Sequence, residues 1–416
     1  MVNQSKYDVS ILRMSIFYHL KFLVLACLCI AMPAKANLPQ VIVGYQGWFG
    51  CPDDFDGNKH WQHWFVGAVK VENFTVDMFP DLSELSAVDQ CDTGINRADG
   101  QNTIKLFSSQ NPRVVDMHVR WMAQNGIGAI ALQRFVGVLT DPAKLRRADN
   151  VLENIRRAAA KYGVSYYVVY DVSGAQPQSV ASEIWKDWQY LQLTKKITND
   201  QNYLQYKSKP FVQIWGFGFS GHPGQPAEVL YLIRQMQIGQ RNITPSSVAG
   251  GVPTYWRSLT RDSYSDPIWR DVYAQYDVIS PWTVGRFANA KAASTFAQTI
   301  IKDDLQITQR RNQAYLPVVF PGFSWANLMR VRGEFARSIP NQIPRQCGDF
   351  LRTQIRGVKS FGLTSIYAAM FDELDEATAL MPILADRQFS TITDSMVHSN
   401  QDGCDLPKNW YLKILR

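Results

Sequence analysis

The fold is decided by three consecutive segments, IGAIALQRF (Ile127–Phe135), AKLRRADNVLENIRRAAAKY (Ala143–Tyr162) and VSYYVVYD (Val164–Asp171). The first and third segments are apolar runs of strand length. The middle segment carries apolar residues at the i, i+3, i+4 and i+7 spacing of an amphipathic helix, and it ends at Gly163, a residue that commonly terminates helices. Strands that are apolar on both faces and alternate with helices are typical of a parallel sheet.

The same alternation runs through the rest of the chain. Eight strand-like runs are found: Val41–Phe49, Ile127–Phe135, Val164–Asp171, Pro210–Phe217, Val248–Thr254, Tyr276–Thr283, Tyr315–Phe320 and Thr364–Phe371. The clearest helical patterns are Val114–Gln124, Ala143–Tyr162, Ala227–Met236, Ala288–Ile301 and Gly348–Ser360. Eight such units predict a single α/β domain over residues 37–416, a (β/α)8 TIM-type barrel with an extended first βα loop and a short C-terminal tail. An open doubly wound sheet is the alternative, but no GxGxxG motif or P-loop follows a strand, so no nucleotide cofactor is expected.

The first 36 residues have the layout of a secretory signal peptide. Lys21 gives a basic start, Phe22–Met32 is apolar, and small residues stand three and one positions before a cut after Ala36. The apolar part is shorter than the about 20 residues of a membrane span. Cys27 offers a weaker, lipoprotein-type alternative. We therefore expect a protein that is secreted or periplasmic, without stable membrane insertion after cleavage.

The composition favours a carbohydrate ligand and disfavours nucleic acid. Removing residues 1–36 lowers the basic count from 43 to 39 and the acidic count from 36 to 35, which leaves a net charge of +4 without any Lys/Arg block. Aromatic residues make up 12% of the chain, and many Trp and Tyr stand beside polar residues. Sugar rings have apolar faces and hydroxyl edges, so they need this combination. The expected partner is an oligosaccharide or polysaccharide, bound by a monomer.

Four cysteines remain after the cleavage site. Their wide spacing excludes the CxxC clusters of structural zinc sites, and export permits disulfides. Of the three possible connectivities we favour Cys51–Cys91, which clamps a long loop, and Cys347–Cys404, which ties down the C-terminal tail. Free thiols are the alternative.

The strongest catalytic signal is an acidic turn at the end of the last strand run. SIYAAM (Ser365–Met370) leads directly into FDELDEAT (Phe371–Thr378). If the chain turns helically there, the i, i+3 pair Glu373 and Glu376 lies on one face, about 5–6 Å apart at Cβ. Two carboxyl groups at a barrel mouth suit glycosidic-bond hydrolysis. A solvated acidic turn and a divalent-cation site are the alternatives.

Five segments together resemble one known family. They are HWQHW (His60–Trp64), FSSQNPRVVDMHVRWMAQNGIGAIAL (Phe107–Leu132), PGFSW (Pro321–Trp325), IPRQCGDF (Ile343–Phe350) and MFDELDEAT (Met370–Thr378). In order, they resemble segments of glycoside hydrolase family 99, the endo-α-mannosidases and endo-α-mannanases, and of its bacterial family 71/99-like relatives. The resemblance runs from about Gly44 to about Thr378, and its most specific element is the Glu-x-x-Glu sequence.

The resemblance implies roles for the two glutamates. Glu373 would be the base on the 2-hydroxyl of the sugar, giving a 1,2-anhydro sugar, and Glu376 would be the general acid and then the general base, with retention of configuration. The sequence departs from the family around the pair. Where the family usually has Asn, Trp, His and Gly, this chain has Asp372, Leu374, Asp375 and Ala377. These departures leave the substrate open.

Further candidates come from the other strand ends. Tyr45, Trp64, Trp215 and Trp282 are candidate sugar platforms, with a place in the core as the alternative. Gln133 and Asp171 are candidate hydroxyl ligands, and Arg134 and Arg286 either bind hydroxyls or orient the acidic pair, with structural ion pairs as the alternative. His60 is a candidate hydrogen-bonding residue. His60 and His63 have a metal-type spacing but lack a third ligand, so no metal is expected.

These observations lead to three hypotheses. The first is an exported glycoside hydrolase that cleaves an α-linked, mannan-like glycan. A glycosidase with another substrate class, namely a xylosidase, an arabinosidase or an α-glucanase, is the alternative within this hypothesis. The second is a carbohydrate-binding barrel without activity. The third is a hydrolase of other chemistry that uses the acidic turn as a metal site.

Overall fold

The computed structural model describes residues 37–55, 57–97, 100, 102–385 and 395–416. The signal-peptide prediction falls on residues 1–36 and so lies outside the described residues. The strands are β1 (Val41–Tyr45), β2 (Cys91–Asn96), β3 (Thr103–Leu106), β4 (Ala129–Phe135), β5 (Ser165–Asp171), β6 (Gln205–Tyr206), β7 (Lys209–Trp215), β8 (Ser247–Val252), β9 (Val278–Pro281), β10 (Ala314–Tyr315), β11 (Val318–Val319) and β12 (Ile366–Ala368). The helices are α1 (Pro112–Gln124), α2 (Pro142–Tyr162), α3 (Val180–Leu193), α4 (Pro226–Ile238), α5 (Trp269–Gln275), α6 (Ala290–Phe296), α7 (Lys302–Arg310), α8 (Ala326–Val331), α9 (Asp349–Lys359) and α10 (Trp410–Ile414).

The main sheet is parallel and closes on itself. Its order is β10-β9-β8-β7-β5-β4-β1-β12-β11, and the short β6 pairs with β7 in antiparallel fashion. The strands β10 and β11 are separated by Leu316 and Pro317. Leu316 N donates to Ile279 O on β9, and Tyr367 N on β12 donates to Pro317 O. The broken seventh strand thus joins both ends of the sheet. The (β/α)8 barrel prediction is confirmed, and the open-sheet alternative is wrong.

The predicted helices begin and end where the local sequence provides caps. In α1 the side chain of Asn111 accepts from Arg113 N, and in α2 the side chain of Asp141 accepts from two backbone amides. Both helices have Pro in the first turn, where its missing N–H is not needed. Gly163 closes α2 in the left-handed conformation, with φ of 70°.

The connection from β1 to α1 is the extended first loop of the barrel. It carries the antiparallel hairpin β2–β3 and the disulfide Cys51–Cys91, whose Cα atoms are 6.3 Å apart. The second disulfide, Cys347–Cys404, fastens the C-terminal tail with a Cα separation of 6.0 Å. Both are the pairs that the sequence favours, and both separations suit a disulfide. In the part of the chain that is described, no helix is long and apolar enough to cross a membrane.

Candidate active site

The acidic turn leaves β12 and folds back immediately. Phe371 N donates to Gly44 O at 2.7 Å, which fixes the start of the segment against β1. The chain then turns over residues 374–377, where Ala377 adopts a φ of 50°. The segment therefore takes the turned conformation rather than the extended one.

Glu373 is held on both carboxylate oxygens. Gln46 Nε2 donates to Oε1 at 2.7 Å and Thr378 Oγ1 donates to Oε2 at 2.8 Å. The side chain is buried, with 6% of its surface exposed. Burial, together with the negative charge of Glu376, raises the pKa of Glu373 well above its ordinary value. The carboxyl group is thus positioned rigidly and has elevated basicity.

Glu376 is partly exposed, unlike Glu373. Burial raises the pKa of its carboxyl group to about 7, while the positive charge of Arg332 acts to lower it. The negative charge of Glu376 helps to raise the pKa of Glu373, as expected for neighbouring carboxyl groups that oppose double ionisation. The pair therefore retains a proton near neutral pH, which a general acid requires.

Two aspartates flank this pair. Asp372 accepts from the backbone amides of Gln46 at 2.7 Å and of Gly47 at 2.9 Å, so it fastens the turn to the end of β1. Burial raises the pKa of Asp372 to about 7. Asp375 is 5% exposed, and among the described residues its Oδ1 has no hydrogen-bond partner. Burial and the charge of Glu376 raise the pKa of Asp375 to about 8.

Two buried charged residues support the turn from behind. Asp77 accepts from Ala326 N at 2.7 Å and from Asn327 N at 2.8 Å, and its own backbone amide donates to Leu374 O at 2.9 Å. Arg345 Nη2 donates to the carbonyl oxygens of two residues just after Glu376, Ala377 at 2.9 Å and Ala379 at 2.7 Å. These contacts hold the first loop, the seventh βα loop and the acidic turn in one arrangement.

The substitution Asp375→Asn is expected to stabilise the protein at pH 8 and to have little effect at pH 4. The raised pKa means that the folded state keeps a proton which the unfolded state releases near pH 4, so folding stability falls as pH rises from about 4 to about 8. Removing this buried charge should restore about 1–3 kcal/mol at pH 8. Urea unfolding at both pH values measures the effect.

Asp92→Asn is the matched control for this prediction. Asp92 is exposed, and its hydrogen bond from Lys105 lowers its pKa to about 2. That variant should be neutral or slightly destabilising at pH 8. A loss of stability for Asp375→Asn at pH 8 would contradict the account of a destabilising buried charge.

Several other predicted residues gather around Tyr367 on β12. Gln133 Nε2 donates to the Tyr367 hydroxyl at 3.0 Å. The negative charges of Glu373 and Asp171 both help to raise the pKa of Tyr367, after the larger effect of burial. The ring of Trp282 lies 6.5 Å from the Tyr367 ring between centroids. Gln133, Asp171 and Trp282 thus share the barrel mouth with Glu373.

Trp215 and Trp282 keep partly exposed rings, and these rings meet edge to face at 5.4 Å between centroids. Among the described residues, Trp215 Nε1 is buried without a hydrogen-bond partner. Both tryptophans remain candidate sugar platforms. His60 is exposed in the first loop.

Two predicted platforms are wrong. Tyr45 and Trp64 have no exposed surface. The Tyr45 hydroxyl is hydrogen-bonded to His118 Nδ1 at 3.0 Å, and Trp64 Nε1 donates to Phe107 O at 3.0 Å. Both are satisfied core residues with no face available to a sugar.

The two predicted arginine ligands are held in ion pairs, which was the alternative interpretation. Arg134 donates to both carboxylate oxygens of Asp187, at 2.6 and 2.7 Å, and is 3% exposed. Arg286 Nη2 donates to Asp262 Oδ2 at 2.9 Å. Neither orients the acidic pair.

Some residues of the site were not singled out from the sequence. Gln46 and Thr378 bind Glu373 directly, and Asp77 and Arg345 hold the turn. Gln46 follows β1 and Arg345 lies in one of the segments that resemble family 99, but neither position reveals its partner. In the described part of the chain, no group of three or more His, Cys, Asp or Glu side chains is arranged to hold a metal ion.

Comparisons with known proteins show which solved structures have a similar fold. No protein-family model and no curated protein matches the sequence. Two solved structures of the GH99 endo-alpha-mannosidase from Bacteroides thetaiotaomicron are similar, with TM-scores of 0.63 and 0.62 and sequence identities of 16% and 15%. Each similarity covers 91% of this chain and 96% of the other. The resemblance to family 99 therefore extends to the architecture of nearly the whole chain.

Proposed function

We propose that this protein is an exported glycoside hydrolase that cleaves an α-linked, mannan-like glycan with retention of configuration. The observation that supports this most strongly is the pair of electrostatically interacting carboxyl groups, Glu373 and Glu376, on one turn at the end of the last barrel strand. Active sites of such barrels lie at this end. The similarity in fold to an endo-alpha-mannosidase supports the reaction class.

In the first step the carboxylate of Glu373 removes the proton of the sugar 2-hydroxyl. The oxygen attacks the anomeric carbon and forms a 1,2-anhydro sugar, while the glycosidic bond breaks and Glu376 gives its proton to the leaving oxygen. Gln46 and Thr378 fix the Glu373 carboxylate for this role. This follows the family resemblance and differs from the retaining scheme in which a carboxylate is the nucleophile.

In the second step the carboxylate of Glu376 removes a proton from water. The water oxygen attacks the anomeric carbon, the anhydro bond opens, and the released oxygen takes back the proton held by Glu373. Both glutamates return to their starting protonation states. The two inversions together retain the configuration.

The pH dependence of kcat/KM should be bell-shaped, with both limbs displaced to high pH. Activity needs Glu373 ionised and Glu376 protonated, and both pKa values are raised. The enzyme should therefore be weakly active near pH 4. An acidic limb that starts at the ordinary value of about 4.3 would contradict this assignment.

A polysaccharide panel tests the proposed function. The purified protein is incubated with α-mannan, α-glucan and arabinoxylan, before and after exhaustive chelation, and the products are identified by mass. We expect release of oligosaccharides from α-mannan in both conditions. Cleavage of only α-glucan or only arabinoxylan would show that the substrate belongs to that class and not to the α-mannans. Absence of any cleavage would favour the inactive carbohydrate-binding barrel. Loss of activity on chelation would favour the metal-site hydrolase.

A further inference from the structure

A single buried hydroxyl group holds one oxygen of the Glu373 carboxylate. Thr378 is fully buried, and its Oγ1 donates to Glu373 Oε2 at 2.8 Å. Burial raises the pKa of Glu373, and the hydrogen bond from Thr378 acts in the opposite direction because it stabilises the ionised form. The orientation of the threonine hydroxyl therefore affects both the position and the basicity of the carboxylate.

Arg345 fixes the backbone on both sides of Thr378. Its Nη2 donates to Ala377 O at 2.9 Å and to Ala379 O at 2.7 Å. Ala377 has a φ of 50°, a left-handed conformation that is costly for a residue other than glycine and that persists only where its surroundings hold it. Because one nitrogen binds the carbonyl oxygens before and after Thr378, the guanidinium sets the direction in which the threonine side chain points.

Tyr411 of α10 covers the guanidinium of Arg345. The Cζ atom of Arg345 lies 4.4 Å from the centroid of the Tyr411 ring, and both side chains are buried. Among the described residues, Nε and Nη1 of Arg345 have no hydrogen-bond partner. A cation that has lost its water is attracted strongly to the face of an aromatic ring. The ring of Tyr411 therefore stabilises Arg345 in the position from which Nη2 reaches the two carbonyl oxygens.

The C-terminal tail, residues 395–416, is docked on the segment that follows Arg345. Trp410 Nε1 donates to Cys347 O at 2.9 Å, and the second disulfide joins Cys347 to the tail. A Cβ atom on Gly348 would overlap the side chain of Ile414. This close approach and the disulfide keep α10 against the segment, and so they keep its tyrosine over the guanidinium.

We propose that Tyr411 is a positioning residue for the general base Glu373. Its ring orders Arg345, and Arg345 orders the backbone around Thr378. The threonine hydroxyl then holds the carboxylate for removal of the proton from the sugar 2-hydroxyl. The inference rests on the proposed function, which assigns Glu373 as the base, and it gives the C-terminal tail a role in catalysis.

Tyr411→Leu tests the inference without changing a charge near neutral pH. The carboxyl carbon of Glu373 is titrated by NMR in protein labelled with ¹³C at the glutamate carboxyl groups, and Glu373→Gln identifies its signal. The charges of Glu376 and Asp375 also act on Glu373, and Glu373 acts on Tyr367 of β12, but the substitution leaves all three groups in place. Weakening the hydrogen bond from Thr378 should move the titration midpoint of Glu373 to higher pH by roughly 0.5–1 pH unit.

The kinetics of Tyr411→Leu should show the same displacement. The acidic limb of kcat/KM should move to higher pH, because the base must be ionised. At the optimum, kcat should fall by about 10–10²-fold, as expected for a displaced reacting group, while KM should change little because Tyr411 acts through Arg345 and not on the sugar. A loss of stability alone would move neither the titration midpoint nor the limb.

Three further variants locate the effect. Tyr411→Phe keeps the ring and should restore the wild-type midpoint, and Tyr231→Leu, at an exposed tyrosine on α4, should leave it unchanged. Thr378→Val removes the hydrogen bond directly, so adding Tyr411→Leu to it should give no further displacement. Thermal unfolding shows which variants are folded. If Tyr411→Leu does not fold, Arg345→Lys replaces it, since the shorter side chain keeps the charge and draws the donor back from the carbonyl oxygens.

An unchanged Glu373 midpoint in folded Tyr411→Leu or its replacement would overturn the inference. An equal displacement in Tyr411→Phe, or a full additional displacement on the Thr378→Val background, would also overturn it. A displaced midpoint without hydrolysis of any glycan by the wild type would instead refute the proposed function and leave the positioning of the carboxylate standing.

Discussion

Glu376→Gln is expected to reduce kcat/KM by about 10²–10⁴-fold on glycosides with poor leaving groups, and far less on activated aryl glycosides. A poor leaving group departs only when its oxygen is protonated, and Glu376 is the group whose pKa of about 7 suits that proton transfer. An aryl oxide leaves with little protonation, so its release should survive the change. Parallel rate measurements on the two substrate types show whether the loss depends on the leaving group.

Glu228→Gln is the control for this comparison. Glu228 is exposed in the first turn of α4, remote in sequence from the acidic turn, and its substitution should leave both rates unchanged. An equal loss on both substrate types for Glu376→Gln would contradict its role as the general acid.

Glu373→Gln is expected to abolish turnover of both substrate types. The base on the 2-hydroxyl acts whatever the leaving group, so no activated substrate should rescue the variant. The variant should stay folded, because the change preserves side-chain volume and removes a charge that Glu376 repels. Rates on both substrates and a thermal unfolding curve provide the measurement. Full activity on the aryl glycoside would contradict the assignment.

The barrel was predictable because its strands and helices have local signals. The apolar strand runs and the helix end at Gly163 can be recognised in the sequence without knowing the fold. The break in the seventh strand is also local in origin, since Pro317 cannot donate a ladder hydrogen bond. The acidic turn was predictable for the same reason: its two glutamates are three residues apart.

The supporting contacts were not predictable, because they join distant parts of the chain. Gln46 contacts Glu373 only because β1 lies beside β12 in the closed sheet; the two residues are 327 positions apart in the sequence. Arg134 forms its ion pair with Asp187 on α3, which lies 53 positions farther along the sequence. Tyr45 shows a second limit: a position at a strand end does not reveal whether the side chain points to the mouth or to the core.

The most direct test of the central claim, that Glu373 and Glu376 act as a base and an acid through the 2-hydroxyl of the sugar, is hydrolysis of a 2-deoxy or 2-fluoro glycoside beside its parent. The parent must first be established as a substrate of the wild-type enzyme. The account predicts that the parent is cleaved and the analogue is not, because the missing hydroxyl is a reactant. Efficient cleavage of the analogue, or a 2-fluoro sugar bonded covalently to Glu373 in the intact mass, would contradict it.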